Sequence, residues 1–163
     1  MNNFSSINTL YYLSYIIIRE LLLYTSLRKE LMLRRSFIQC GITGWCIEVM
    51  FTGFHSFLRR DFRLMSQTSI LMFPIYGMAA FIKPIYKYIK NWNILVRGIL
   101  YTISIFLVEY FTGNFLCKKK ICPWDYTKSK YNIKGVIRLD FAPLWFFTGL
   151  LFEHLLCHSK ESS

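Results

Sequence analysis

Three glutamates stand inside long apolar stretches of this sequence: Glu48, Glu109 and Glu153, with Asp140 at the edge of the last stretch. An acidic side chain at the centre of a bilayer costs up to about 3 kcal/mol on insertion scales. Such groups therefore face a protein interior, a cavity or a basic partner. That placement suits binding of a proton, a cation or a polar cargo. It also suits a second role, in which a protonated carboxyl hydrogen-bonds across helices and holds them together. The residue types leave both roles open.

A glycine lies four residues from each glutamate: Gly44 before Glu48, Gly113 after Glu109 and Gly149 before Glu153. Residues four apart share a helix face, so these glycines are expected to let neighbouring backbone approach the carboxylates. Gly41 and Gly53 add small residues to the Glu48 stretch. Glu48 is followed by Thr52-Gly53 and Glu109 by Thr112-Gly113, an echo offset by one residue. The echo predicts that the two stretches run parallel, each in one of two related hairpins, as in transporters built from parallel repeats. Glu48 and Glu109 are then expected to line one interior polar site, with the hydroxyls of Thr52 and Thr112 one turn on.

A second group of chemistry-bearing residues lies in the polar segment 117–138. In Cys-Pro-Trp-Asp-Tyr, residues 122–126, Trp124 and Tyr126 are side chains that anchor at membrane interfaces. Asp125 can cap a turn, pair with Arg138 or receive a cation. Asp125, Asn132 and Asp140 together carry oxygens suited to a hard metal, although a turn held by Asp125 is the simpler assignment. Asp125, Arg138 and Asp140 could also hold a phosphate through a metal, as a lipid-modifying membrane enzyme would. His55, His154 and His158 form no recognisable catalytic motif. No catalytic residue, metal site or cofactor is assigned. The five cysteines, Cys40, Cys46, Cys117, Cys122 and Cys157, contain no CxxC pair. Cys117 and Cys122 are near enough in sequence to crosslink if their loop faces an oxidising space; free thiols acting as small hydrophobes are the alternative.

The elements that must position these groups are membrane helices. Apolar stretches cover residues 4–27, 36–57, 68–88, 98–116 and 139–157, with the charges gathered between them. Residues 98–116 are 19 in number with Glu109 as the one charge, the right length for about 30 Å of hydrocarbon. Arg19 and Glu20 interrupt the first stretch, which reads as transmembrane or interfacial. Pro74 near the start of the third predicts a kinked or re-entrant path. Backbone in hydrocarbon must satisfy its own hydrogen bonds, and stretches of this length do so as helices rather than as a barrel. The expected fold is all-α: an accessory N-terminal helix over residues 1–35, a four-helix transmembrane core over 36–157, and a polar tail at 158–163.

The formal net charge of +11 fits this reading. Lysines and arginines cluster at the ends of apolar stretches, where they meet anionic headgroups. They do not line one helix face as nucleic-acid binding would require, so lipids are the expected partners and nucleic acid is not. Counted by side for a four-span core, the basic residues number nine and ten, which sets no orientation.

The sequence also resembles a known family. The pieces are GWCIEVMFTG at 44–53, FPIYG at 73–77, VEYFTGNFL at 108–116, CPWDY at 122–126 and the run from Asn132 through IKGVIRLDFAPLWFFTG to Gly149. In order and spacing they resemble the CmpB-like family of ABC-transporter permeases, and they are similar to small vertebrate multi-pass membrane proteins that share the motifs. Bacterial members read N-x-x-G-R-I-x-L after the WDY segment; here Asn132, Gly135, Val136 and Ile137 follow, and the arginine is displaced to Arg138. The resemblance implies a permease-like transporter component. The chain has no GxxxxGK[ST] phosphate loop, so an ATPase would be a separate subunit, and so few spans imply a homo-oligomer. A structural or regulatory membrane protein is the alternative.

Overall fold

The computed structural model describes residues 3–158, with side chains described from residue 15 onward. In chain order the elements are α1 (Asn3–Leu58), α2 (Met72–Gly77), a 3-10 turn (Met78–Phe81), α3 (Ile82–Ile89), α4 (Ile94–Lys118), β1 (Asn132–Ile133), β2 (Ile137–Arg138), a second 3-10 turn (Leu139–Phe141) and α5 (Ala142–Cys157). Among the described residues the fold is helical, relieved only by the short antiparallel β1–β2 ladder, in which Asn132 pairs with Arg138 and Ile133 with Ile137. Among the described residues, three segments are long and apolar enough to cross a membrane: Tyr15–Leu58, Ile94–Lys118 and Leu139–Cys157.

The chain divides into two units, one ending at Arg35 and one beginning at Ser36. In the first, every side chain from residue 15 to 35 is exposed, including Ile17, Leu21, Leu22 and Leu31. The sequence separates two apolar stretches by the charged run 28–35, yet α1 continues through it. The run holds strong helix formers and no glycine or proline. Within it Arg34 bonds Glu30 one turn back at 2.7 Å, a pairing that supports the helix.

In the second unit α1 ends at Leu58 in a turn that recurs at the end of α4. Asp61 N–H donates to Ser56 O at 3.0 Å and Arg60 N–H to Phe57 O at 2.9 Å, with Arg60 at φ 61°. At α4, Ile121 N–H donates to Leu116 O at 3.1 Å and Lys120 N–H to Cys117 O at 3.0 Å, with Lys120 at φ 57°. Both are Schellman closures, with a cation in the left-handed position that usually takes glycine. Here the positive charge faces the carbonyl end of the helix dipole.

After the first turn the chain runs back along α1. Ser56 Oγ donates to Met65 O at 2.8 Å, Gln67 N–H to Thr52 Oγ1 at 3.2 Å, Thr68 Oγ1 to Glu48 Oε2 at 2.8 Å and Trp45 Nε1 to Ser69 O at 3.0 Å. One stripe of α1 thus bonds the returning segment from Met65 to Ser69. The third apolar stretch is therefore not one straight helix from residue 68. Helix begins at Met72, and Pro74 sits in the first turn of α2. Pro84 lacks the N–H that would continue α-helix over Ala80 O. The path changes to 3-10 at Met78–Phe81 and resumes as α3.

Asn93 starts α4, its Oδ1 accepting Leu95 N–H at 3.0 Å, as an N-cap does. Helices α4 and α5 pack along each other through paired glycine seats: the Phe146 ring lies where a Gly98 Cβ would be, and Tyr101 Cβ lies 2.5 Å from that of Gly149. Helices α1 and α2 meet the same way, with Phe73 over Gly41, Tyr76 over Gly44 and Phe37 over Gly77. At Gly41, Gly44, Gly77 and Gly98 the nearest atoms belong to aromatic side chains, and at Gly113 to Val136. The buried centre comprises Cys40, Ile82, Ile89, Tyr101, Phe152 and Leu156. The opposite face of α4 leaves Leu95, Ile99, Ile103, Leu107, Phe111 and Phe115 exposed at four-residue spacing, a lipid-facing stripe.

Candidate functional site

The three glutamates have three different surroundings. Glu153, on α5, is 4% exposed and fully engaged. Arg97 Nη2 reaches its Oε1 at 3.0 Å and Tyr101 Oη donates to its Oε2 at 2.6 Å. Arg97 Nη1 in turn caps the carbonyls of Lys90 and Trp92 at 3.1 and 3.0 Å. Tyr101 is on the Gly149 seat, so Gly149 sets the ring that bonds Glu153 one turn later. This arrangement ties α4 to α5. Arg97 and Tyr101 were not among the sequence candidates. Arg97 reads as a flanking charge, and only its place four residues before Tyr101 on the Asn93-capped helix marks it.

Glu109, on α4, is 8% exposed and not engaged. The Trp145 indole of α5 stands beside it, but the two do not meet in hydrogen-bonding geometry. Glu109 Oε2 and Trp145 Nε1 are both buried without a partner. An acceptor and a donor left open inside a membrane helix pair cost about 1–3 kcal/mol each, so this pair calls for an explanation in a way that the satisfied Glu153 does not.

Glu48, on α1, is partly buried and accepts only from Thr68 among the described side chains. Two tyrosines stand near both acids. Tyr76 of α2 and Tyr126 of the polar loop each lie within electrostatic reach of both Glu48 and Glu109. Burial pushes the Tyr126 phenol above its ordinary range, and the charges of Glu109 and Glu48 add to it, since both effects disfavour the phenolate. Phe141 closes this region as an edge-to-face hub, with ring centroids 5.6 Å from Phe51, 5.8 Å from Tyr126 and 6.3 Å from Trp145. Such T-shaped contacts set the positive ring edge against a negative face. Tyr76 and Trp145 carry no charge and were missed as candidates, although both lie in the quoted FPIYG and APLWFFTG runs.

The threonines do not point hydroxyls at the acids. Thr112 Oγ1 donates to Val108 O at 2.6 Å. Thr52 Oγ1 donates to Glu48 O at 2.9 Å and also holds the returning backbone at Gln67.

The polar loop is built from its own side chains. Asp125 Oδ1 accepts Thr127 N–H at 2.9 Å, which closes a turn. That bond from the Thr127 backbone holds the Asp125 carboxyl below the usual carboxylate range. Asn132 Oδ1 accepts Gly135 N–H at 3.0 Å, and Gly135 takes φ 70°. Trp124 Nε1 donates to Val136 O at 3.0 Å, and Tyr126 N–H to Gly135 O at 2.8 Å. Arg138 pairs with Asp140, at 2.7 Å from Nη2, rather than with Asp125. Its guanidinium also lies 4.4 Å over the Phe141 ring. Asp125, Asn132 and Asp140 are thus occupied separately, and no group of three metal-ligating side chains converges among the described residues. Trp124 and Val136 together seat on Gly113, with Val136 Cβ 2.8 Å from where a side chain would begin. The loop is fixed to the turn of α4 that follows Glu109.

A family model described as "Putative ABC-transporter type IV" matches residues 35–161. No solved structure matches the chain.

Proposed function

The chain belongs to the ABC-transporter type IV family and is a multi-pass membrane protein, and from that premise we propose that it is a permease subunit whose polar path runs past Glu109. The observation that carries the reading is the pair of buried, unpartnered atoms Glu109 Oε2 and Trp145 Nε1. An acid and an indole N–H left open in a helix pair suit a cationic group or a proton that is bound and then released. Glu48, Tyr76 and Tyr126 border the same region, so the two acids form one site rather than two. The path leaves Glu153 aside, because Arg97 and Tyr101 already occupy both of its oxygens.

The family implies a nucleotide-binding subunit beside membrane lipids. Residues 1–163 carry no phosphate loop, so nucleotide binding in this reading falls to a part outside them, and more than one copy of the chain surrounds the complete path. Residues 36–157 are the membrane domain, with the interrupted α2–α3 segment as its fourth pass. Residues 1–35 are an accessory helix; the start of the family match at residue 35 supports this division.

The test has two parts. Isolation of the tagged chain in nanodiscs should bring with it a subunit that binds and hydrolyses ATP; isolation without one removes the permease assignment. Glu48→Cys with Glu109→Cys, in a background free of other cysteines, should crosslink with short or medium bifunctional reagents in folded protein. Two positions that never crosslink, and that label from the lipid side, are separate acids and not one site.

A further inference from the structure

Cys117 and Cys122 take no part in the site above, and the turn that ends α4 decides where they stand. Its double closure, through Leu116 O and Cys117 O, reverses the chain at Lys120, as a Schellman turn does. Ile121 N–H on Leu116 O returns the chain to the last turn of α4 just before Cys122, so that Cys117 and Cys122 come to face one surface pocket. The two line one surface pocket together with Lys120, Asp125 and Lys134. Cys117 is exposed, Cys122 is partly buried, and both are free thiols. The other cysteines stand apart from this pocket; Cys40 lies in the helical core.

We propose that Cys117 and Cys122 are a reversible redox pair that closes to an intrachain disulfide and clamps the 122–126 segment to the end of α4. The oxidant is a low-molecular-weight disulfide, RSSR. The exposed Cys117, as thiolate, attacks one sulfur of RSSR, forms the mixed disulfide and expels RS⁻. Cys122, as thiolate, then attacks the Cys117 sulfur, forms the intrachain bond and expels the second RS⁻. The protons lost by the two cysteines are taken up by the two leaving groups. Two cysteine thiols are oxidised while one RSSR is reduced to two RSH, and a dithiol reverses the exchange. The clamp acts on the segment whose Trp124 and Tyr126 are bonded to Val136 and Gly135.

The order of attack follows from exposure, and so does the slow step. Burial pushes the Cys122 thiol up to about 11, with Cys117 and the Asp125 charge adding to it against a lowering bond from Trp124 N–H. The charged groups lining the pocket with it are Lys120 from the end of α4, and Asp125 and Lys134 from the loop. Closure is therefore limited by the Cys122 thiolate, whose fraction rises about tenfold per pH unit below its pKa.

Trypsin makes the test direct, because cleavage after Lys118 and Lys120 leaves the two cysteines on separate peptides, 98–118 and 121–128. The full chain in nanodiscs is treated with oxidised glutathione, alkylated, digested and analysed by mass without reduction. The two peptides should appear linked, two hydrogens lighter than their sum, and should separate on dithiothreitol. Closure should speed up about tenfold from pH 7 to pH 8. Cys122→Ser should instead trap glutathione on Cys117, and Cys117→Ser should leave Cys122 alkylated. The proposal is overturned if wild-type chain keeps glutathione on Cys117 with Cys122 alkylated. It is equally overturned if both cysteines stay alkylated while a reference dithiol peptide in the same tube oxidises, or if either links to Cys157 or to a second copy.

Discussion

Glu109 and Glu153 are both buried acids of membrane helices, and what each would lose on neutralisation separates their roles. Glu153→Gln breaks the ion pair with Arg97 and leaves that guanidinium buried and uncompensated. The expected loss is about 3 kcal/mol of stability, read as a lower unfolding midpoint in detergent, and Arg97→Met combined with Glu153→Leu should recover most of it. Glu109→Gln removes no bond from Oε2, which has none, so stability should change by no more than about 1 kcal/mol. A large loss at Glu109 in the same assay would place it among the glue residues. In the polar loop, the Thr127 N–H bond depresses the folded pKa of Asp125. The sign is then fixed: the turn is stabilised fully above the ordinary aspartate value of about 3.9, and that support is lost as pH falls through the lower folded value. The protection factor of the Thr127 amide in hydrogen exchange should therefore hold at pH 5 and fall only below about pH 4. Asp125→Ala should lower it at both.

The helices carry their own predictions at their ends and seams. Lys120 holds φ 57° at the end of α4, a conformation costing a non-glycine residue roughly 1 kcal/mol. Lys120→Gly should raise the unfolding midpoint slightly, and Lys120→Val should lower it; equal effects would show that the turn does not constrain the chain. Gly149→Ala places a methyl 2.5 Å from Tyr101 Cβ, an atom with no freedom to swing aside. That overpacking should cost about 1–3 kcal/mol and, through Tyr101, should loosen the Glu153 bond as well. The elements themselves were largely legible, because long apolar runs bounded by charges have few folded solutions. The break at 78–81 was legible only as two prolines, since where a helix changes pitch depends on which carbonyl loses its donor. The partners were not legible. Glu153 could be read as a buried acid, but Arg97 and Tyr101 lie more than fifty positions away on another helix, and no local spacing connects them. The glycines beside the acids were visible, whereas their use as seats for Tyr76, Val136 and Tyr101 depends on how the elements pack against one another. Thr52 and Thr112 looked available from spacing alone; in each the hydroxyl is spent on the carbonyl one turn back.

At the scale of the whole molecule, within residues 36–157, α1 and α4 each carry an acid, end in a Schellman turn held by a cation, and are followed by a helix packed on them through glycine seats. If α1 and α4 run parallel, the loops at 59–71 and 119–131 face the same aqueous side. Cysteines replacing Arg60 and Lys128 should then label from that side only, and labelling from opposite sides would refute the arrangement. Glu48 lies ten residues before the end of α1 at Leu58 and Glu109 nine before the end of α4 at Lys118, the spacing from which the proposed shared site is argued. The most direct test of an interior acidic path is the reactivity of a single cysteine at position 109, with Glu48 retained, in nanodiscs. A cationic methanethiosulfonate should react roughly tenfold faster than an anionic one, because an acid-lined cleft concentrates cations, and Glu48→Gln should erase the preference. Reaction with membrane-dissolved maleimide alone, or equal rates for the two charged reagents, would contradict it.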